Sequence, residues 1–315
     1  MTTTHEAWTN RLEAVHPPRR LEGLMELIGG TPLVRLREVT EDVGDDVEVW
    51  VKLESFNPGG SVKDRPARQI FLDAFEAGKL GEGQTLIDAT SGNTGIAYAM
   101  IGAAMDVDVE LVMPKNVSPQ RKQIVKTYGA EIIFSDPMEG SDGAIRLVRE
   151  RVEEDDGDRY FYADQYRNPS NPRAHELTTA PEIWDQTAGR ITHFVASTGT
   201  SGTVMGTGRG LRKRSDEIRI IGGQPSDGFH GLEGLKHMPS SIEPDIYVED
   251  ELDDIIWLDT DEAWDMADAL ARREGIACGY SSGANVVAAL KVARELDEGV
   301  VVTVICDHAD RYIGE

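Results

Sequence analysis

The 315-residue sequence has only two cysteines, Cys278 and Cys306, set far apart. They cannot build a disulfide framework or a four-ligand zinc site on their own. No run reaches the roughly 18 uninterrupted apolar residues of a membrane-spanning helix. The opening MTTTHEAWTN lacks the basic and then apolar segments of a secretory signal. Internal repeats, low-complexity stretches and Gly/Ser linkers are also missing. Positive charge is scarce: 32 Lys plus Arg face 56 Asp plus Glu, a net charge of −24, and only nine of the basic residues are lysine. Such a surface repels a phosphate backbone, which argues against a nucleic-acid partner. The expectation is a soluble cytoplasmic protein without metal, membrane or nucleic-acid partner. The acidic residues are spread along the whole chain, so they repel one another, and salt would relieve that repulsion. This points to a high-salt cytoplasm.

What is present is alternation. The apolar run TLIDAT (85–90) is followed by a small-residue helix over 95–105, and VELVMP (109–114) by a helix that Ser118-Pro119 opens and Gly129 stops. EIIF (131–134) precedes a helix over 141–150. A second series follows, with THFVAS (192–197), a helix to Arg214, RIIGG (219–223), helices near 262–273 and 284–295, and VVVTVIC (300–306). Continuous apolar strands between helices predict parallel sheets covered on both faces. Two such series, parted by the irregular 164–172, predict an α/β fold of two doubly wound parallel-sheet lobes with a cleft between them.

Four segments carry candidate chemistry. In KLESFNPGGSVKDRPA, Lys63 follows the Asn57-Pro58-Gly59-Gly60 turn and precedes a helix. A lone lysine is usually a solvated surface residue, but one held at such a junction can be desolvated and nucleophilic. TSGNTG (90–95) lies between a strand and a helix. There it is either a polar loop with a cap or a grip for a carboxylate, made by helix-start N–H groups with Thr90, Ser91, Asn93 and Thr94. The GTSGT loop Gly199, Thr200, Ser201, Gly202 and Thr203 suits a phosphate at a helix start. It lacks the Gly-Lys-Ser/Thr of a Walker loop, and the later glycines lie inside the helix rather than in a dinucleotide fingerprint. GYSSGAN (279–285) opens a last helix. A Schiff-base lysine, a phosphate cradle, a carboxylate grip and a hydroxyl pair together match the needs of a pyridoxal phosphate enzyme.

With ADQYRNPSNPRAHELTTAPEIW (163–184) and the closing ICDHADRYIGE, these motifs resemble the cysteine synthase branch of the fold-type II pyridoxal phosphate enzymes. QYRNPSNPRAH and the Cys-Asp ending are most similar to the cysteine synthase B type. The resemblance runs from IGGTPLVRL (28–36) almost to the end of the sequence. It implies an N-terminal lobe over 35–167, a C-terminal lobe over 1–34 plus 168–315, and a homodimer. It also implies pyridoxal 5'-phosphate bonded to Lys63, with Asn93 at the ring hydroxyl, residues 199–203 at the phosphate and Ser281 at the pyridine nitrogen, Ser282 being the fallback. Thr90, Ser91, Asn93, Thr94 and Gln165 would hold the substrate carboxylate.

A neutral hydroxyl at the ring nitrogen favours departure of a β-substituent over deep carbanion stabilisation. The implied reaction is β-elimination from O-acetylserine or O-phosphoserine to an aminoacrylate, followed by addition of sulfide or thiosulfate, giving cysteine. Lys236, in GLEGLKHM, stands where relatives that accept anionic substrates carry a basic residue, and it is either a phosphate or sulfonate contact or a solvated lysine. Cystathionine β-synthase, using serine and homocysteine, is the alternative activity, and serine or threonine dehydratase a weaker one. A nucleotide-binding oxidoreductase is disfavoured, because RIIGGQP supplies no acidic ribose ligand.

Overall fold

The computed structural model describes residues 20–155 and 159–312. Strands β1 (Leu33–Arg35) and β2 (Val47–Leu53) lead through the 54–63 turn into helix α1 (Asp64–Glu76). Then come β3 (Thr85–Ala89), α2 (Asn93–Met105), β4 (Asp108–Pro114), α3 (Pro119–Thr127), β5 (Glu131–Ser135), α4 (Gly140–Glu153) and β6 (Tyr160–Tyr162). A broken helix follows, α5 (Ser170–Ala174) and α6 (Ala180–Gln186), joined by a π turn over His175–Thr179. The remaining elements are β7 (His193–Ser197), α7 (Gly202–Arg212), β8 (Arg219–Pro225), β9 (Asp254–Leu258), α8 (Thr260–Ala269), α9 (Tyr280–Ala293) and β10 (Gly299–Ile305).

The strands form two sheets. One has four parallel strands in the order β5-β4-β3-β6; the other has six in the order β1-β2-β10-β7-β8-β9, parallel except for β1. Period-two burial explains their continuous apolar sequences. Along β10, Val301 and Ile305 enter one core while Val300, Val302 and Val304 enter another on the opposite face. In the smaller sheet Leu86, Leu111 and Met113 pack on one side, and Ile87, Ala89 and Val112 on the other. Helix α2 is buried along nearly its whole length, which is why its sequence is apolar and small all round.

The lobe boundary expected at residue 35 is corrected by the strand pairing. β2 lies between β1 and β10, with Val47 opposite Gly299 and Leu53 opposite Ile305, so residues 33–53 belong to the six-stranded sheet. The four-stranded sheet is drawn from the continuous stretch that begins with β3, and α1 packs into its core through Ala67, Ile70, Phe71 and Ala74. Residues 1–19, expected with the C-terminal lobe, lie outside the described residues. The helix expected over 284–295 starts earlier, at Tyr280, which brings both Ser281 and Ser282 into its first turn. The cap expected at α3 is present: Ser118 Oγ accepts from Arg121 N, Pro119 is the first helical residue, and Gly129 follows the helix with φ +89°.

Candidate active site

The strand ends of both sheets open onto one cleft of about 1140 Å³, including its mouth. This is where open α/β sheets place ligands. Twelve of the thirteen candidate residues line it: Lys63, Thr90, Ser91, Asn93, Thr94, Gln165, Gly199, Thr200, Ser201, Thr203, Lys236 and Ser281. The exception is Gly202, which lies behind the wall. A Cβ there would collide with the Asn171 side chain, just as one at Gly199 would strike the Gly234 carbonyl. Both glycines are demanded by close packing of the loop.

Lys63 stands at the head of α1, half-buried. Its turn is stapled to the end of β10, because Val62 N donates to Cys306 O at 2.8 Å and Ser61 bridges Asp307. Among the described residues Lys63 Nζ has no hydrogen-bond or ion-pair partner. On the opposite wall, β7 leads through Gly199–Thr203 into α7, whose first N–H groups lack partners within the helix. Ser201 sits in the left-handed region at φ +71°, a conformation that costs a β-substituted residue roughly 1–2 kcal/mol. The loop is braced from behind. Asn171 Nδ2 donates to Thr200 Oγ1 at 3.2 Å, and Thr203 Oγ1 meets His175 Nε2 at 3.3 Å, while His175 Nδ1 meets Thr179 Oγ1 at 2.9 Å. Burial holds the His175 imidazole down at about 3, so it stays neutral at physiological pH.

The segment expected to grip a carboxylate is also built from both backbone and side chains. Thr90 Oγ1 accepts from Gly92 N and Gly95 N, capping α2. Thr94 Oγ1 donates to Gln165 Oε1 at 2.8 Å, and Gln165 Nε2 donates to Ala89 O at 2.8 Å. Beneath them Asp88 is fully buried and accepts from Ala89 N and Gln165 N, and burial raises its carboxyl to about 7. The serine pair divides its work. Both are buried, but Ser281 lines the cleft, whereas Ser282 Oγ accepts from Cys306 N at 2.9 Å.

Sequence reasoning missed several residues of the cleft. Asp307 accepts from Asn93 Nδ2 and Tyr312 Oη, both at 2.7 Å, and burial raises its carboxyl. Arg121 and Glu233 form a bidentate pair at the mouth, with Arg121 over the Tyr312 ring. The signal for Arg121 is its place in the first turn after the Ser118-Pro119 cap; Asp307 is marked only as part of the Cys-Asp ending that carries the resemblance, and nothing local marks Glu233.

The donor set fits pyridoxal phosphate. Buried polar atoms on the cleft walls, among them Asn93 Oδ1, Ser197 Oγ, Ser201 Oγ and Asp307 Oδ1, have no hydrogen-bond partner among the described residues. Buried polar atoms left in this way cost stability unless a ligand satisfies them. A family model of pyridoxal-phosphate dependent enzymes matches residues 24–307. The chain belongs to this family. It is 54% identical over 297 residues to a cysteine synthase of Aquifex aeolicus, covering 93% of this chain and 90% of that protein. It is 44% identical over 290 residues to cysteine synthase B of Escherichia coli, covering 92% and 94%. The crystal structure of a cysteine synthase from Entamoeba histolytica superposes with a TM-score of 0.91 at 38% identity, covering 96% and 91%.

Proposed function

We propose that the protein is a cysteine synthase, which replaces the β-substituent of an O-activated L-serine with a sulfur nucleophile on the way to L-cysteine. The observation that carries this reading is Lys63 Nζ, without a partner among the described residues, set in one cleft with a loop suited to an anion and a separate segment suited to a carboxylate. When bound, pyridoxal phosphate supplies an aldehyde that condenses with amines and a ring that draws charge from the substrate Cα. Lys63 Nζ would hold the aldehyde carbon at rest and, freed when the substrate amine takes its place, would receive the proton from the substrate Cα. The N–H groups at the head of α7, with the Thr200 and Thr203 hydroxyls, would hold the phosphate. Asn93 would serve the ring hydroxyl and Ser281 the ring nitrogen. Thr90, Ser91, Asn93, Thr94 and Gln165 fix the substrate carboxylate, which orients the Cα–H bond for transfer to Lys63. Lys236 lies within reach of a charged leaving group.

The test is a side-by-side assay of the holoenzyme. O-acetylserine and O-phosphoserine are each supplied with sulfide or thiosulfate, and serine is supplied with homocysteine. Cysteine or its S-sulfonate is expected from an activated serine, whereas product from serine and homocysteine alone would replace this reading with a cystathionine β-synthase. In Lys236→Ala, O-phosphoserine turnover is expected to fall at least tenfold relative to O-acetylserine. The working form is a homodimer in a cytoplasm of high salt, which sedimentation in molar KCl would test.

A further inference from the structure

Two ion pairs cross the mouth of the cleft in opposite senses. Arg121, in the first turn of α3 on the four-stranded lobe, meets Glu233 from the loop after β8 on the six-stranded lobe. The pair is bidentate, with Arg121 Nη2 3.0 Å from Glu233 Oε2. Lys236, three residues along the same loop, stands 3.6 Å from Asp142 of α4 and lies over the Tyr166 ring. The two cations are nearly buried (side chains 5% and 10% exposed), while their carboxylate partners are far more open, at 38% and 34%. Apart from Lys63, these are the cations among the residues lining the cleft. Each therefore meets, across the mouth, a carboxylate that is the more exposed partner of the pair.

We propose that Glu233 is a positioning residue that sets charge selectivity: its carboxylate occupies the Arg121 fork and so disfavours ligands whose second group is anionic. A guanidinium fork accepts a carboxylate, a phosphate ester or thiosulfate in the same two-bond geometry. The substrate's own carboxylate is taken by the Thr90–Thr94 grip, so a second anion is what remains to contend for Arg121. A dianionic ester or donor that engages Arg121 must displace Glu233, bringing like charges together at the mouth. A neutral acyl ester leaves the pair intact. Glu233 thus ranks O-activated serines by leaving-group charge, a deepening that rests on the cysteine synthase reading only for its turnover arm.

The experiment uses holoenzyme carrying Glu233→Gln, which keeps the shape and removes the charge. In dilute buffer, kcat/KM for O-phosphoserine relative to O-acetylserine is expected to rise at least tenfold. Thiosulfate, titrated calorimetrically without any serine substrate, is expected to bind at least tenfold tighter. Molar KCl should erode both gains, and adding Arg121→Lys to Glu233→Gln should abolish them. An unchanged ratio, an equal fall for both esters, unchanged thiosulfate affinity, or a gain that survives Arg121→Lys would overturn the proposal. Failure of the parent to make cysteine would instead strike the functional reading, because the calorimetric comparison stands without it.

Discussion

Lys63 and Asp88 show how differently a single side chain can matter. Lys63 Nζ has no protein partner among the described residues, so its removal orphans nothing. Lys63→Ala is expected to leave the melting temperature of the cofactor-free protein nearly unchanged, as for a neutral surface substitution. Activity is expected to fall by roughly 10²–10⁴-fold from lost proton transfer alone. Borohydride reduction followed by peptide mapping checks the assignment, and a pyridoxyl group found on another lysine would refute it. Asp88 acts through the fold. Its carboxyl is raised by burial to about 7 from an ordinary 3.8, so between these values the folded protein holds a proton that the unfolded chain has released. Its contribution is thus present in full below about 4 and is lost as pH rises through 7. In Asp88→Asn that loss disappears. Urea unfolding should show the variant's stability rising relative to the parent between pH 4.5 and 7.5, and parallel pH profiles would contradict the assignment.

The elements around the site are locked by charge as much as by apolar packing. Lys52 on β2, Glu54 just after it, Arg65 in α1 and Glu182 in α6 form one network. Arg65 Nε lies 2.6 Å from Glu54 Oε2, and Arg65 Nη1 and Lys52 Nζ each lie 2.7 Å from Glu182. Burial would raise the Glu54 carboxyl, but Arg65 overrides it and holds the group below the ordinary carboxylate range. Glu182, held down to about 2 against burial by Arg65 and Lys52, also accepts from Gly30 N. Arg65→Met would strand Glu54 in a site fully closed to water, at a cost of about 3–5 kcal/mol in urea unfolding. A cost below 1 kcal/mol would mean the network is dispensable.

None of this network was legible beforehand, since Lys52 and Arg65 read locally like any surface cations and only the tertiary fold buries them. The strands β3, β4, β5, β7, β8 and β10 were legible, because both faces of each are apolar. β1 and β6, three residues each, are too short to show a period. The motif residues at strand-to-helix junctions were equally readable. Asp307 was not, because its role depends on β10 lying beside the Lys63 turn.

For the molecule as a whole, the net charge of −24 sets the dependence on salt. The melting temperature is expected to rise from dilute buffer to molar KCl, with most of the gain within the first tenths of molar, where the Debye length contracts fastest. A curve that is flat or falls across that range would remove the high-salt reading.

The position of β10 has a consequence for synthesis. The four-stranded sheet comes from one continuous stretch and can close while the rest of the chain is still on the ribosome. The six-stranded sheet cannot, because its last strand in chain order inserts between β2 and β7. Until β10 emerges, β2 presents an open edge on one side, the kind of surface that recruits chaperones or misfolds. The Lys63 turn has no Cys306 carbonyl or Asp307 to fasten it during that interval. A nascent chain therefore carries the lysine long before it has the site, and cofactor capture waits on the arrival of β10 between β2 and β7.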